Sequence, residues 1–523
     1  MRTTSLFSVV ILLLCSAAAD ALQAAKSATA ADLDAAQLDS IVQKMVAQEH
    51  VVGASVLVAR GDRILLHKGY GFADLALEAP AKDETVYHVV GPMLPFTGIA
   101  VMQQVERGKL SLDDDISKFI PEFPLQGHHV TIRQLLNHTS GIVDYHYLGD
   151  PIEATSRQPK ALDEVMALYA GKNWVNEPGK KWDWSISGFN LLVTIVERVT
   201  GQSFPDYVQQ NIFKPAGVKS TTYCDDFTQT RGLSHAHRKI DAGPVANTVT
   251  NNGPTYVEAR ENGMAYNSDL RFCSTVGDLL QLWRAIKDKN LVRPETFKLM
   301  TTAEGAAQHM SAQDPKAQYG FAMILNHEEG LHQEGLRQED HRRIGQHGSL
   351  MGYSGSLYDF PEDNLTIVVL TNTEDQNAYA ITRALGRAIL GLPALPAPKP
   401  EAETTLANKP ISADERKQLA GTFVLKLGQV GTNLHDSFAQ YRRTYRVFDE
   451  NGRLMIQPLG EGPERLLKQD DGSFAMRSSA GSHISFAVQN GHAASMKLDS
   501  PGFPLVGERV GDGDAGTFHG QGR

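Results

Sequence analysis

The chain changes character at one place, and that change limits its fold more than any other feature. Residues 391–410 hold five prolines, within Gly-Leu-Pro-Ala-Leu-Pro-Ala-Pro-Lys-Pro-Glu-Ala-Glu and onward. Proline removes a backbone donor and restricts φ, so the stretch reads as a linker rather than a packed element. Before it, residues 36–390 alternate strand-like and helix-like patterns. After it, over 411–510, short β-type runs are separated by Asn451-Gly452, Asp471-Gly472 and Asn490-Gly491, each a hairpin signal. The expectation is a mixed α/β domain followed by a small antiparallel β domain, with a Gly-rich tail at 511–523.

Within the first unit, a helix-like stretch around 38–48 leads into two β-type runs, Val51–Ala59 and Arg63–Tyr70, joined at Arg60-Gly61-Asp62 as a hairpin. From Pro95 to Val105 the pattern turns helical. Phe96, Ile99, Met102 and Val105 are spaced for one face, and Gly108 follows the end. Helical signals continue at 131–137, 162–170, 188–199 and 275–286, and apolar β-type runs return at 319–325 and 365–371. Strands at both ends with helices between them predict an α/β sandwich whose termini share one sheet.

The N-terminus adds a cellular address. Arg2 precedes the apolar run Leu6–Leu14, followed by Ser16-Ala17-Ala18-Ala19. That pattern is expected to be a secretory signal peptide over 1–19, with a flexible lead over 20–35. The run is too short to span a bilayer comfortably, so the mature chain is expected to be secreted or periplasmic with no membrane span. A formal net charge of −10, from 50 Lys+Arg against 60 Asp+Glu, offers no attraction to nucleic acid. Of three cysteines, Cys15 leaves with the signal. Cys224 and Cys273 remain, either as a disulfide suited to an oxidising compartment or as two buried thiols. Their separation does not look like a zinc site.

Several segments carry a family likeness. They are Phe96-Thr97-Gly98 through Asp113-Asp114, Leu135-Leu136-Asn137-His138-Thr139-Ser140-Gly141, Pro178-Gly179, Thr200-Gly201-Gln202-Ser203-Phe204 and Val368–Asn372. In this order and spacing the chain resembles the serine β-lactamase family of class C and penicillin-binding-protein type, over about residues 38–390. The resemblance implies an α/β domain beside an all-helical one, with the active site between them. The C-terminal part is similar to the lipocalin-like β domain that often follows this family. On the family's pattern, Cys224 and Cys273 flank one large excursion on the cleft side.

That family's chemistry needs a Ser-x-x-Lys pair at a helix N-terminus, a Tyr-x-Asn loop, and a Lys- or His-led strand motif ending in Gly, with backbone N–H groups holding the oxyanion. This chain departs from all three. The Ser and Lys positions read Gly91 and Leu94, and the loop reads Trp184-Ser185-Ile186. Aligned by sequence, the strand motif reads His347-Gly348-Ser349. Losing such a nucleophile lowers turnover on the order of a million-fold. Leaving half of a polar network buried costs roughly 1–3 kcal/mol per orphaned group, whereas replacing it as a unit avoids that penalty. The expectation is a site rebuilt as an apolar cleft, walled by Met93, Trp184, Leu350 and Met351, with Tyr145, Ser185, His347 and Ser349 also lining it. Its occupant would be a small apolar or peptide-like ligand, or a protein partner.

The competing reading is a hydrolase or transferase using Ser185 or Ser349 with His347 as base. A third is a scaffold for the C-terminal module. Histidines elsewhere do not reach a metal signature. His327-Glu328-Glu329-Gly330-Leu331-His332 places its second His five residues on rather than four, and His128-His129 and His235-Ala236-His237 lack an evident third ligand. No metal and no cofactor are expected.

Overall fold

The computed structural model describes residues 33–148, 162–172, 174–224, 232–240, 248–250, 255–258, 272–288, 291–311, 314–329, 332–333, 336–337, 340–350, 352–374, 376–395, 407–428, 441–459, 463–476, 479–500 and 503–511. The expected signal segment, most of the expected lead, the middle of the Pro-rich stretch, Met351 and the tail beyond 511 lie outside them. Asp34 and Ala35, assigned by sequence to the lead, instead cap and open helix α1 (Ala35–Gln48). The Asp34 side chain accepts from the Gln37 amide, and the Gln37 side chain accepts from the Asp34 amide.

An eight-stranded antiparallel sheet organises the first unit. Its strands are β1 (Gly53–Arg60), β2 (Arg63–Asp74), β3 (Ala79–Pro80), β7 (Gln318–Tyr319), β8 (Ile324–Glu328), β9 (His341–Leu350), β10 (Tyr353–Phe360) and β11 (Leu365–Thr371), in spatial order β7-β8-β9-β10-β11-β1-β2-β3. The first and last long strands do share the sheet, with β1 paired to β11 from Ala54↔Thr371 to Arg60↔Leu365. A three-stranded sheet, β4 (Tyr87–His88), β6 (Phe272–Ser274) and β5 (Thr222–Tyr223), lies in the order β4-β6-β5.

Alternation along β1 sends its side chains to two cores. Ala54, Val56 and Val58 pack with Leu38 and Val42 of α1 and with Ile381 and Leu385 of α7 (Asn377–Ile389). Leu57 and Ala59 face the larger core, with α2 (Leu94–Glu106), α3 (Ile132–Leu136), α4 (Leu162–Tyr169), α5 (Ile186–Thr200) and α6 (Val276–Asp288). Helix α2 departs from the one-faced pattern read in its sequence. Residues 94–104 are all buried, because the helix runs through the centre of the larger core.

The apolar run 319–325, which reads as one strand in sequence, is a tight reversal between β7 and β8. The Gly320 amide donates to the Met323 carbonyl at 2.8 Å, and Ala322 sits at φ +64°. The turn is buried, so apolar residues hide it from any composition-based signal.

Beyond the Pro-rich stretch, nine strands form one antiparallel sheet that nearly closes as a barrel. They are β12 (Gly421–Leu427), β13 (Arg442–Glu450), β14 (Arg453–Pro458), β15 (Glu464–Arg465), β16 (Leu467–Lys468), β17 (Phe474–Met476), β18 (Ser479–Gln489), β19 (His492–Ser500) and β20 (Phe503–Gly511). The order β15-β14-β13-β12-β20-β19-β18-β17-β16 puts two strands that are adjacent in sequence at its opposite edges. Asn451-Gly452 and Asn490-Gly491 turn with positive φ at both residues, as tight hairpins require. Among the described residues no helix is long and apolar enough to cross a membrane.

Candidate functional site

The segment Val89-Val90-Gly91-Pro92 leaves β4 and enters α2. The Val89 amide donates to Phe272 O at 2.8 Å, which ties the segment to β6. Gly91 then turns at φ +87°, and its backbone lies flat against β9. A Cβ at this position would stand 2.4 Å from the His347 carbonyl carbon and 2.6 Å from the Gly348 nitrogen. Two other glycines make the approach possible. A Cβ on Gly348 would meet Gly91 N at 3.2 Å, and one on Gly355 would meet Val90 O at 2.7 Å. Gly91, the position read in sequence as the place of the nucleophile, is therefore a backbone-to-backbone contact. One turn on, Leu94 is 1% exposed, as is Met93, so neither lines an open cleft.

Across from this segment, Trp184-Ser185-Ile186 leads into α5. Ser185 is its N-cap, with Oγ accepting from the Gly188 amide at 3.2 Å. The Ser185 amide donates to His138 Nδ1 at 3.1 Å. Because Nδ1 accepts, the neutral His138 ring carries its proton on Nε2. The Ile186 amide donates to Asp144 Oδ2 at 2.8 Å, placing a carboxylate on the N-terminus of α5. Asp144 Oδ1 also takes the His146 amide and faces His146 Nδ1, each at 2.9 Å. Burial works to raise the Asp144 carboxyl, but His146 and the two amides hold it below the usual carboxylate range. Burial pushes the Tyr147 phenol up, and the charges of Asp144 and Asp183 push it further.

His138 holds φ +57° and sits inside an aromatic group. Its ring centroid is 4.4 Å from Trp184, 4.9 Å from Phe189 and 4.8 Å from Tyr319. Trp182 and Trp184 also contact Tyr319. Trp184 is half-buried, so this group presents one indole outward. Tyr145 is fully buried, with its ring stacked on His146 and its amide donating to Ser187 Oγ at 2.9 Å.

Contrary to the expectation from sequence, the pleat of β9 does not turn His347 toward the aromatic group. On β9 it is Gln346 that faces the aromatic group, with Nε2 donating to the Tyr319 hydroxyl at 2.9 Å. His347 points to the opposite face of the sheet. It bonds the Tyr358 hydroxyl at 2.7 Å and lies flat on Tyr379 of α7, with centroids 4.0 Å apart. The expected Ser185–His347 pairing is thus not assembled, because the sheet separates the two side chains. Ser349 Oγ donates to the Tyr353 carbonyl within the β9–β10 hairpin at 3.3 Å. Of the residues expected to form one site, the structure groups Trp184 and Ser185 with His138, Tyr319 and Gln346. The last three had no functional signal of their own in the sequence. Only the strand phase, set by Ile344 facing the larger core, selects Gln346 over His347.

His347 makes a testable pH device. Burial and the nearby Arg343 and Arg383 push its imidazole down to about 3. Since its folded pKa is below the unfolded value, its contribution is fully present above about 6.5 and is lost as pH falls toward 3. We expect urea stability to decline over that window by a few kcal/mol, and His347→Asn to flatten the decline. An equally steep decline in the variant would exclude His347 as the cause.

The histidine pairs do not converge. His128 faces Glu177 at 3.3 Å and His129 faces Asp115 at 3.1 Å, while His235 lies 3.8 Å from Asp74 and His237 bonds Asn372 O. Among the described residues, three ligand-type side chains lie within 4.8 Å of one another at His88, Cys224 and Cys273. The two cysteines form a disulfide with Cα atoms 5.9 Å apart.

Comparison with known proteins agrees with this frame. The Beta-lactamase family profile matches residues 38–392. Penicillin-binding protein 4* of Bacillus subtilis (strain 168) is 26% identical over 442 residues, covering 82% of this chain and 89% of that protein. Protein flp of Staphylococcus aureus (strain MW2) is 26% identical over 359 residues, covering 68% of this chain and 66% of that protein. Among solved structures, the octameric penicillin-binding protein homologue from Pyrococcus abyssi superposes with a TM-score of 0.56 at 19% identity, covering 91% of this chain and all of that one.

Proposed function

We propose that this chain, which belongs to the beta-lactamase family, is an exported member that has abandoned the acyl-enzyme route and works by binding. The observation that carries this is Gly91. Its positive φ and its contact with the His347 and Gly348 backbone leave no room for any side chain at the nucleophile position. Leu94 replaces the amine, and Trp184 and Ile186 replace the polar loop, so the departures agree in direction. Ser185, one of the two alternative nucleophiles, is engaged as the cap of α5.

The binding face in this reading is the surface around half-buried Trp184, backed by His138, Trp182 and Tyr319 and flanked by Asp144, His146 and Tyr147. Two of the relatives are named for penicillin, a strained cyclic amide on an amino-acid framework. The occupant proposed is accordingly a small apolar or peptide-like molecule. A protein presenting such a segment satisfies the same face. Export is supported by the apolar N-terminal run and by the disulfide, which suits an oxidising compartment.

Intact mass after incubation with a fluorophosphonate serine probe tests the catalytic half. We expect no adduct, whereas one mapped to Ser185 or Ser349 would overturn the proposal and identify the nucleophile. Titration with benzylpenicillin and a panel of dipeptide amides tests the other half. A tryptophan fluorescence change is expected that Trp184→Phe removes. A response left intact in that variant would place binding elsewhere.

A further inference from the structure

We infer that Cys224, Cys273 and His88 form a buried two-state site: a disulfide staple when oxidised and, once the bridge is reduced, a two-thiolate, one-imidazole chelate for a monovalent copper ion. Spacing along the chain hides this group, since His88 lies 136 residues before Cys224 and 185 before Cys273. The three-stranded sheet gathers it. His88 is directly opposite Cys273 in the β4–β6 ladder, and Thr222, two residues before Cys224, is opposite Cys273 on the other side. All three side chains are fully buried.

The geometry suits a chelate. His88 Nδ1 stands 3.6 Å from both sulfurs. A metal about 2.1 Å from an imidazole nitrogen and 2.3 Å from a thiolate holds those atoms roughly 3.6–3.8 Å apart at ordinary coordination angles. The Cα separation of 5.9 Å accommodates a disulfide, and rotation about the two Cα–Cβ bonds opens the sulfurs to a chelating distance. Val86 and Leu233 wall the site, and the His88 ring lies 5.2 Å from that of Tyr353. In such apolar surroundings a leucine would fill the same space. The imidazole instead brings a nitrogen within reach of both sulfurs.

Donor chemistry selects the metal. Two thiolates and an imidazole are soft to borderline ligands, favouring Cu(I) or Zn(II). Zinc takes four ligands in closed sites, and the described residues here supply three. Monovalent copper is satisfied by three. Reduction by a dithiol breaks the Sγ–Sγ bond: the dithiol gives up two electrons and two protons, closing to its own disulfide, and the cysteines become thiols. Copper binding then forms two Cu–S bonds and one Cu–N bond and releases both thiol protons, with the metal's oxidation state unchanged.

The test uses the full chain with Cys15→Ser, reduced by a dithiol, freed of reductant without oxygen and titrated with Cu(I) against bicinchoninate. We expect about one copper per reduced chain, a thiolate-to-copper absorption band in the near ultraviolet, and an unchanged circular dichroism spectrum. The oxidised protein, a control that needs no variant, is expected to take up none. His88→Leu is expected to weaken binding at least tenfold. Negligible uptake by folded reduced protein overturns the proposal, as does unfolding on reduction, equal affinity in His88→Leu, or a preference for zinc.

Discussion

Gly91→Ser, alone or with Leu94→Lys, is expected to restore no β-lactam or ester hydrolysis and to lower stability sharply. A serine at φ +87° carries roughly 1–2 kcal/mol of backbone strain. Its Cβ would also meet the His347 carbonyl carbon at 2.4 Å, and backbone on both sides of that contact has nowhere to retreat. Overpacking of this kind adds about 1–3 kcal/mol, giving a total of roughly 2–5 kcal/mol. Gly108→Ser separates the two contributions. Gly108 has φ +69°, and a Cβ added there would meet nothing within 4 Å, so only the strain should appear. Leu94→Lys compounds the loss, because an amine at a position 1% exposed would be left without solvent. Urea unfolding and a chromogenic cephalosporin assay read the two outcomes. Appreciable turnover in the double variant would refute the claim that the site was rebuilt as a unit, and a stability loss no greater than that of Gly108→Ser would show that the β9 backbone yields.

Glu328→Gln is expected to be as damaging, by about 3–5 kcal/mol, because it removes the one carboxylate that three described guanidinium groups share. Glu328 is fully buried on β8. Arg383 bonds it at 2.7 and 3.0 Å, Arg387 at 3.1 Å, and Arg343 Nη1 lies 3.1 Å away. Arg343 is itself held between the rings of Tyr358 and Tyr379, with its carbon 4.9 and 5.1 Å from their centroids. Burial works to raise the Glu328 carboxyl, and the hydrogen bond from Arg383 with the charges of Arg343 and Arg383 brings it below the usual value. A depressed carboxyl stabilises above its unfolded pKa and loses that contribution as pH falls through the folded one. Wild-type stability should therefore fall further as pH drops below about 4.5, adding to the His347 decline, and Glu328→Gln should lack that added loss. A loss under about 1 kcal/mol at neutral pH would mean that solvent reaches the cluster.

These two positions also show what reading along the chain can and cannot reach. The Gly91 and Leu94 departures are legible because they sit a fixed distance before Phe96-Thr97, inside a helix whose apolar pattern is strong. That Gly91 is a backbone contact is not legible, since it depends on Gly348 and Gly355 arriving from more than two hundred and fifty residues away. Glu328 stands in the sequence only as part of a failed metal signature. Its three arginines come from β9 and α7. In sequence, His347 reads as a family residue facing the cleft, and the pleat of β9 turns it to the other side.

By itself, the sequence determined the local periodicities, the hairpin dipeptides of the β domain, the shared sheet of β1 and β11 and the departure of Gly91 and Leu94 from the motif of the family it resembles. Each of these is a property of neighbouring residues or of a pattern that repeats along the chain. Only the tertiary structure decided which side of β9 faces the aromatic group around Trp184, that Ser185 caps α5, and that His88 joins the two cysteines. The reason is physical: a one-residue change of strand phase exchanges the two faces of a sheet, and contacts across a ladder join residues whose separation in sequence is arbitrary.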